Sequence, residues 1–302
     1  MILTVTFNPA VDQTMTFDES LRPGAVSRAT DARFDAGGKG VNVSQYLAAL
    51  DADTVATGLL GGFTGTYIRQ SLSESGVPTD FVDIDEPTRL NTTALAAGEE
   101  YKLNQNGPDV DASVVDDLTA TARSHGPDRV LVGGSLPPGL DPDVIDRVAD
   151  AGEWRTAVDV GGDVLAALEG EYDLAKPNRD ELAAATGAAV ETVAECAEAA
   201  RRLRERGFER VVASLGGEGA LLAGPDGVVF AEAFDVDVVD TVGAGDALLS
   251  GVLAALDRGL SDEAALGNGV AVASRVVQRA GTSVPDFEGL DADRDAVETR
   301  RL

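Results

Sequence analysis

Residues 240–257 read DTVGAGDALLSGVLAALD, a short glycine-containing turn that runs directly into an apolar segment. The apolar segment predicts a helix over Ala247 to Asp257, and the glycines allow a tight turn before it. The backbone N–H groups from Gly243 to Asp246 would then point outward at the positive end of the helix dipole. This stretch therefore predicts a helix whose N-terminus can bind an anion such as a phosphoryl group.

Asp246 stands next to these amides in the sequence, and two roles are open to it. A carboxylate there can accept the proton of an attacking hydroxyl while the amides offset charge on a transferring phosphoryl group. Alternatively, Asp246 only caps the helix and the glycines only turn the chain. The motif by itself is compatible with both roles.

A second glycine segment, DAGGKGVN, occupies residues 35–42. Its glycines predict a turn that enters a helix over Val41 to Leu50 and exposes N–H groups. Asn42 can donate and accept hydrogen bonds toward a sugar hydroxyl, so the segment suits a polyol ligand. Lys39 is either a cation for an anionic ligand or an ordinary exposed lysine in a turn.

The two segments, about two hundred residues apart, resemble the C-terminal and N-terminal signatures of the ribokinase family, also called the phosphofructokinase-B family of carbohydrate kinases. The resemblance extends from about Leu3 to Val284. It implies a ribokinase-like three-layer α/β/α fold with a mostly parallel central sheet and a small β-sheet lid. It also implies ATP and Mg²⁺ as cofactors. The implied catalytic residues are the base Asp246 and the anion-binding turn of Gly243, Ala244 and Gly245.

Two further segments, NPAVD at 8–12 and TRLN at 88–91, resemble the branch of that family that phosphorylates ketose phosphates. Asp12 can bind two sugar hydroxyls, and a guanidinium such as Arg89 can pair bidentately with a phosphate, helped by the point charge of Lys39. Arg89 could equally be a surface arginine. The substrate-binding residues implied by the resemblance are Asp12, Gly37, Gly38, Lys39, Asn42, Arg89, Asn91, Lys102 and Asn104.

The nucleotide is expected at KPNRDE (176–181) and SLGGEG (214–219). Asn178 and Glu181 resemble the family's NxxE motif, although a capping Asn followed by a first-turn Glu has the same spacing. The second segment resembles the family's nucleotide loop, and a hairpin turn is the alternative. A helix over Asn268 to Ser274 should pass the adenine, although core packing would give the same spacing. The implied nucleotide-binding residues are Lys176, Asn178, Ser214, Gly216, Gly217, Glu218, Gly219, Thr241 and Asn268, with Glu181 binding Mg²⁺ through water.

Short β-type runs alternate with amphipathic runs along most of the chain, which indicates a parallel sheet wrapped by helices. Core strands are predicted at Ile2 to Phe7, Thr54 to Leu60, Arg129 to Ser135, Thr156 to Val160, the run leading into Lys176, and Arg210 to Gly216. Helices are also predicted at Tyr67 to Ser75, Ala112 to Ser124, Asp143 to Ala151, Arg179 to Thr186 and Thr192 to Arg206. We expect one domain over 1–302, with antiparallel lid strands inserted at about 13–35 and 92–105. Such an insertion serves as a lid or as a dimer surface.

The composition excludes several classes of function. There are 52 Asp and Glu residues against 24 Lys and Arg, a formal net charge of -28, and lysine occurs only at Lys39, Lys102 and Lys176. Nucleic acid and anionic membranes would be repelled, and such a surface suits concentrated salt. The chain has one cysteine, Cys196, so it cannot form a disulfide framework or a cysteine metal cluster. Its one histidine, His125, is expected at a helix end. The chain lacks a signal-like start and an apolar run of about 18 residues, so we expect a cytoplasmic protein.

The family resemblance implies ATP-dependent phosphorylation of a ketose phosphate, and the residues quoted above are compatible with it. Fructose 1-phosphate, giving fructose 1,6-bisphosphate, fits the motif set best, while fructose 6-phosphate, tagatose 6-phosphate or a free ketohexose stay open. A binding protein that kept the fold but lost catalysis is the alternative from another class. We expect a homodimer that forms through the lid.

Overall fold

The strands lie in a large and a small sheet in the computed structural model, which describes residues 1–279, 281 and 284–302. Their bounds are β1 (Ile2–Thr6), β2 (Ala10–Phe17), β3 (Asp31–Gly37), β4 (Thr54–Leu60), β5 (Val82–Asp83), β6 (Arg89–Ala96), β7 (Glu99–Leu103), β8 (Arg129–Gly133), β9 (Arg155–Asp159), β10 (Tyr172–Ala175), β11 (Phe208–Ser214), β12 (Ala220–Gly224), β13 (Gly227–Ala231) and β14 (Thr299–Arg301).

The large sheet has the order β14-β13-β12-β11-β10-β9-β8-β1-β4-β5. The strands from β11 to β5 run parallel, and β12, β13 and β14 continue the sheet in antiparallel pairings. Five side chains of β1 are buried in the middle of this order, as expected for a strand covered on both faces. The predicted α/β class is confirmed.

Helices cover both faces of the large sheet. Their bounds are α1 (Lys39–Ala49), α2 (Gly62–Glu74), α3 (Val114–His125), α4 (Asp143–Ala149), α5 (Gly162–Ala167), α6 (Arg179–Thr186), α7 (Val193–Arg204), α8 (Ala244–Asp257), α9 (Asp262–Val276) and α10 (Leu290–Ala296). One apolar cluster packs α3 to α7 against the sheet, and a second packs α1, α8 and α9 against its other face. The three-layer α/β/α arrangement is therefore confirmed.

The small sheet has the order β3-β2-β6-β7 and stands apart from the large one. Both outer pairings are antiparallel, but the central pair β2 and β6 is parallel, so the prediction that all of these strands are antiparallel was wrong. The reason is the connection: β4 and α2 lie between the two strands, and a crossover of that kind joins parallel strands.

The register of the small sheet places a polar cluster on one face and a group of apolar side chains, with Gln13 and Thr92 among them, on the other. One face carries Asp12, Arg89, Asn91 and Lys102, which we call the substrate face. The opposite face carries Met15, Phe34, Ala94, Tyr101 and Leu103, which we call the apolar face. Successive residues of a strand point to opposite faces, so the sequence alternation produces this arrangement.

The carboxyl ends of the parallel strands define where a ligand can bind in an open α/β sheet. Asp159 ends β9, Lys176 follows β10, and Ser214 ends β11. The glycine turns that precede α1 and α8 lie at the same edge, because Lys39 of α1 contacts Asp159 and Gly245 of α8 lies next to Lys176. None of the helices of residues 1–279, 281 and 284–302 is long and apolar enough to cross a membrane.

Candidate active site

Asp246 lies in the first turn of α8, where only 8% of its surface is exposed. Gly243 precedes the helix with φ 78°, a left-handed conformation that glycine adopts without strain. Asn42 of α1 donates a hydrogen bond of 2.8 Å from its side-chain nitrogen to Asp246 Oδ2. The two glycine segments, far apart in sequence, therefore meet at one carboxylate.

The turn in front of α8 presents fewer free amides than the sequence predicts. The Ala244 N–H donates to the Thr241 carbonyl at 3.2 Å, so it closes the turn instead of facing a ligand. Among the described residues, the backbone N–H groups of Gly243, Gly245 and Asp246 have no backbone acceptor outside the regular helix bonds. These three amides remain available to an anion at the positive end of the helix.

A compact cluster of charges surrounds the turn. Asp159, fully buried, accepts from Lys39 Nζ at 2.6 Å and lies 3.2 Å from Lys176 Nζ. Lys39 Nζ is also 3.5 Å from Glu181 Oε1. A Cβ at Gly245 would lie 3.3 Å from Lys176 Nζ, so this ammonium group is next to the turn that precedes α8. Two of the chain's three lysines thus lie in one site.

This environment makes Asp246 a weaker acid than usual. Burial and the negative charge of Asp159 raise the pKa of Asp246 to about 6, against the opposing effects of Asn42, Lys176 and Lys39. A base with a pKa just below neutrality is ionised at pH 7 and still binds a proton well, which suits general-base catalysis.

Lys39 takes a different position from the predicted one. The sequence placed it with Arg89 at the phosphate of the substrate, but its ammonium group pairs with Asp159 and Glu181 at the mouth of α8. Burial opposes the charged form, yet Asp159 and Glu181 raise the pKa of Lys39. Lys39 therefore belongs to the cluster around Asp246.

Asn178 and Glu181 form a capping box at the start of α6. The Asn178 side chain accepts from the Glu181 N–H at 2.9 Å, and Glu181 Oε2 accepts from the Asn178 N–H at 2.8 Å. Glu181 Oε1 is directed to Lys39 instead. The capping alternative is thus real, and it leaves one oxygen of Glu181 facing the charge cluster.

Asp12 and Asn91 form the polar centre of the substrate face. Asn91 Nδ2 donates to Asp12 Oδ1 at 2.9 Å, and a Cβ at Gly37 would lie 2.0 Å from Asp12 Oδ2. A glycine is therefore required at position 37 to admit the carboxylate. Burial, reinforced by Asp35, raises the pKa of Asp12, while Asn91 and Arg89 oppose the shift. Gly38 precedes α1 with φ 114°.

Arg89 begins β6 and is held by carbonyl groups on two sides. Its Nη2 donates to the Asn8 carbonyl at 3.0 Å and its Nη1 to the Gln105 carbonyl at 3.3 Å. Its Nε is buried and has no partner among the described residues. Burial lowers the pKa of Arg89, and the charge of Asp12 opposes that shift. The guanidinium group can thus offer a donor to an anion beside Asp12.

Lys102 and Asn104, the other two predicted substrate-binding residues of this segment, are exposed to solvent. Lys102 is opposite Thr93 on the substrate face, but its side chain is 59% exposed and pairs with Glu100 at 3.4 Å. Asn104 follows β7 and is exposed. Gln105 comes closer, since its side chain accepts from the Leu90 N–H at 3.0 Å and its carbonyl binds Arg89.

A cleft of about 560 Å³ opens on the other side of the α8 turn. Its polar wall contains the predicted nucleotide residues Asn178, Ser214, Gly216, Gly217, Gly219 and Thr241. Its apolar wall is formed by Phe234, Val236, Val238, Leu248 and Val270. Gly245 also lines the cleft, so a flat apolar base and a phosphate chain could lie in it with the terminal phosphate at α8.

Three predicted nucleotide residues are placed differently. Asn268 is buried and donates to the Gly251 carbonyl at 2.7 Å, so it joins α9 to α8, and Val270, Ala273 and Ser274 line the cleft in its place. Glu218 is exposed and pairs with Arg179. Lys176 lies beneath the turn with Asp159 rather than along the cleft. Small residues around Asn268 serve helix packing, as the alternative reading held.

Sequence reasoning missed Asp159, Gln105 and the segment 234–238. Asp159 lies inside a predicted strand, and its signal was a carboxylate in an otherwise apolar run. Phe234, Val236 and Val238 follow β13 without periodicity, so they gave no signal. The geometry combines a cleft of nucleotide size, a buried carboxylate at the helix N-terminus beside it, and a polar face on the small sheet, which is typical of a phosphotransferase of the ribokinase-like class.

Comparisons with known proteins agree with this class. The model of the pfkB family of carbohydrate kinases matches residues 5–288. A 1-phosphofructokinase from Haloferax volcanii is 58% identical, with 99% of this chain and 98% of that protein covered. A D-tagatose-1-phosphate kinase from Bacillus licheniformis is 34% identical, with 91% of each covered. The crystal structure of phosphofructokinase-2 from Escherichia coli in complex with potassium superposes with a TM-score of 0.90 at 27% identity, covering 97% of this chain and 98% of that one. The chain belongs to the pfkB family of carbohydrate kinases, and ATP is its phosphoryl donor.

Proposed function

We propose that this kinase transfers the γ-phosphoryl group of ATP to the C6 hydroxyl of fructose 1-phosphate, giving fructose 1,6-bisphosphate and ADP. The observation that carries the proposal is the position of Asp246, buried at the N-terminus of α8 directly after Ala244 and Gly245, which line the nucleotide cleft. The names of the relatives favour a phosphate at C1, since both the 1-phosphofructokinase and the tagatose-1-phosphate kinase are named for ketose 1-phosphates.

The substrate face would hold the sugar. Asp12 and Asn91 bind ring hydroxyls, and Arg89 pairs with the phosphate. This arrangement explains how a chain of net charge -28 binds an anionic sugar, because the anion meets a guanidinium group fixed by two carbonyls. Lys102 and Asn104 would complete the face when the small sheet acts as a lid.

The transfer step needs a base and charge compensation. Asp246 takes the proton of the attacking hydroxyl as the bond from O6 to phosphorus forms and the bond to the ADP oxygen breaks. The free amides of Gly243 and Gly245, together with Lys39 and Lys176, offset the charge of the phosphoryl group in transit. The proton then passes from Asp246 to solvent.

The residues present also fit Mg²⁺. Glu181 Oε1 is a carboxylate oxygen at the charge cluster beside Lys39, and Mg²⁺ is held by one or two carboxylates, several waters and substrate phosphates. No cluster of three possible ligands occurs within the part of the chain that is described, which this mode of binding does not require. When bound, the ion would polarise the phosphate oxygens, and Glu181 would reach it through water.

Steady-state kinetics in molar KCl test the substrate. The panel is fructose 1-phosphate, tagatose 1-phosphate, fructose 6-phosphate, tagatose 6-phosphate and free fructose, with ADP release as the readout. We expect fructose 1-phosphate to have the highest kcat/KM. A free hexose that exceeded every phosphosugar would remove Arg89 from its proposed role. ATP binding by calorimetry without sugar-dependent ADP release would instead support a binding protein without catalysis.

We also infer a homodimer that forms through the small sheet. Leu103, Phe34 and Tyr101 on its apolar face are 62%, 46% and 37% exposed. Tyr101 lies in one row with Ala94 and Met15, and the hydrogen-bonded pair Gln13 and Thr92 lies between Phe34 and Leu103. A sheet face of this composition is stable in water when another apolar surface covers it. A second copy offers the same face, so an isologous pairing would cover both.

Sedimentation equilibrium tests this pairing. We expect a dimer for the native chain and a shift toward monomer for the Leu103→Glu and Phe34→Glu double variant. Phe63→Glu is the matched control, because Phe63 is 78% exposed but lies on α2 outside the small sheet. A native chain that sediments as a monomer would rule out the dimer.

A further inference from the structure

Tyr46 of α1 carries a hydroxyl into an apolar part of the protein. Its side chain is fully buried in the apolar cluster formed by α1, α8 and the large sheet. Its hydroxyl has no hydrogen-bond partner among the described residues. Buried polar groups nearly always have a partner, so this hydroxyl calls for an explanation.

Complementary groups lie one helical turn away. Asn42 and Tyr46 are four residues apart on α1 and therefore share a face, and helical side chains lean toward the N-terminus, which directs Tyr46 toward Asn42. Asn42 uses its nitrogen to bind Asp246, while its Oδ1 is buried with no donor in the described part of the chain. One orphaned donor and one orphaned acceptor thus adjoin the catalytic carboxylate.

The Tyr46 hydroxyl and the Asn42 oxygen, both unpaired within the described ranges, are a donor and an acceptor that a buried water can join. A buried water usually makes about three hydrogen bonds to such groups.

The electrostatics agree with this placement. Burial, and after it the charge of Asp246, raise the pKa of Tyr46, so the phenol stays protonated and acts as a donor. The other groups that act on Asp246 are Asp159 from β9, Lys176 after β10, and Lys39 and Asn42 from α1.

We propose that Tyr46 is a positioning residue for the catalytic base. Its hydroxyl donates to one ordered water, which donates to Asn42 Oδ1 and thereby fixes the orientation of the Asn42 amide. The nitrogen of Asn42 is then turned toward Asp246. Without that anchor the amide can rotate and present its oxygen to the carboxylate, which would weaken the bond that favours the ionised base. The proposal rests on the proposed role of Asp246 as the base.

The substitution Tyr46→Phe tests it, because the ring and its packing remain and only the hydroxyl is lost. We expect the acid limb of the kcat profile to move up by about half a pH unit, so that kcat falls about two- to threefold at pH 5 to 6 and much less at pH 7. The KM values for ATP and sugar should change less than about twofold, because neither ligand contacts Tyr46. In an Asn42→Ala background the same substitution should have no further effect.

Tyr172→Phe is the matched control. Tyr172 is also a buried tyrosine, but it packs on Phe208 in the other apolar cluster and its hydroxyl donates to Asp146. This variant should keep the native pH profile whatever it does to stability. A Tyr46→Phe enzyme with native kcat and native acid limb would overturn the proposal.

A readout independent of activity separates this proposal from the kinase assignment. A high-resolution crystal structure of the native chain should show a water within about 3.2 Å of both Tyr46 Oη and Asn42 Oδ1. Clear density without that water, or with the Asn42 oxygen facing Asp246, would refute the positioning role even if the enzyme is active. The structure also decides the question if the variant does not fold.

Discussion

Replacing Asp246 by asparagine should make the protein more stable at neutral pH. Burial and the nearby charge of Asp159 raise the pKa of Asp246 from 3.8 to about 6. A carboxyl group with a raised folded-state pKa costs the folded state free energy once it ionises, since the unfolded chain ionises it more easily. The cost is absent below about pH 4, grows between pH 4 and 6, and is complete above pH 6.

The size of this cost follows from the two pKa values. Each unit corresponds to 1.36 kcal/mol, so the ionised Asp246 destabilises the native state by about 3 kcal/mol at pH 8. Asparagine has the same shape, avoids the charge and can still accept from Asn42 Nδ2. We therefore expect Asp246→Asn to raise the free energy of unfolding by about 1 to 3 kcal/mol at pH 8 and by almost nothing at pH 4.

Urea unfolding at constant molar KCl, followed by circular dichroism from pH 4 to 8, measures this difference. Asp240→Asn is the matched control in the same turn. Burial opposes ionisation of Asp240, but the amides of Val242 and Gly281 lower its pKa, so its charge stabilises the fold near neutrality and its loss should destabilise. If Asp246→Asn is less stable than the native chain at pH 8, the account of a strained, buried base is incorrect.

Three further predictions concern the ligands and the solvent. Arg89→Gln should raise KM for fructose 1-phosphate by about 30-fold or more in steady-state kinetics, because it removes a charge-assisted phosphate contact. KM for ATP should stay unchanged. An equal rise in KM for a free ketose would argue against that contact. Gly37→Ala should raise KM for the sugar by displacing Asp12, while Gly24→Ala, at an exposed glycine where a Cβ meets no neighbour but φ is 76°, controls for backbone strain and should leave that KM unchanged. The melting temperature of the native chain should be lower in dilute buffer than in molar KCl, because salt screens the repulsion among its acidic groups.

The sequence predicted the large features of the fold because they depend on local patterns. Apolar runs such as Thr54–Leu60 coincide with a strand of the structure, and Arg179–Thr186 coincides with a helix. Helix α8 starts three residues before the predicted Ala247, because the glycine turn itself adopts helical geometry from Ala244. The single-domain organisation over 1–302 stays a prediction.

The site was predictable where a residue type and its spacing both pointed to chemistry. Asp246, Asn42 and Asp12 were predicted in this way, and the structure places Asn42 Nδ2 2.8 Å from Asp246 Oδ2. Pair contacts over long sequence separations were not predictable. Lys39 was assigned to the sugar phosphate because it is a scarce cation near a glycine turn. Only the fold shows that its ammonium group pairs with Asp159, which is 120 residues away in the sequence.

Polar residues in helices were the hardest to assign. Asn268 had the position of a ligand residue, but its amide donates to the buried Gly251 carbonyl of α8, where two glycine-containing helices pack closely. A sequence pattern cannot distinguish a helix that passes a ligand from one that passes another helix, because both require small side chains on one face.

Turnover of fructose 1-phosphate by the native chain and by Asp246→Asn, measured side by side as ADP release in molar KCl, tests the central claim most directly. The account predicts sugar-dependent ADP release by the native enzyme and a rate about two to four orders of magnitude lower for the variant, with KM for ATP little changed. A variant that retains near-native turnover would contradict the assignment of Asp246 as the base.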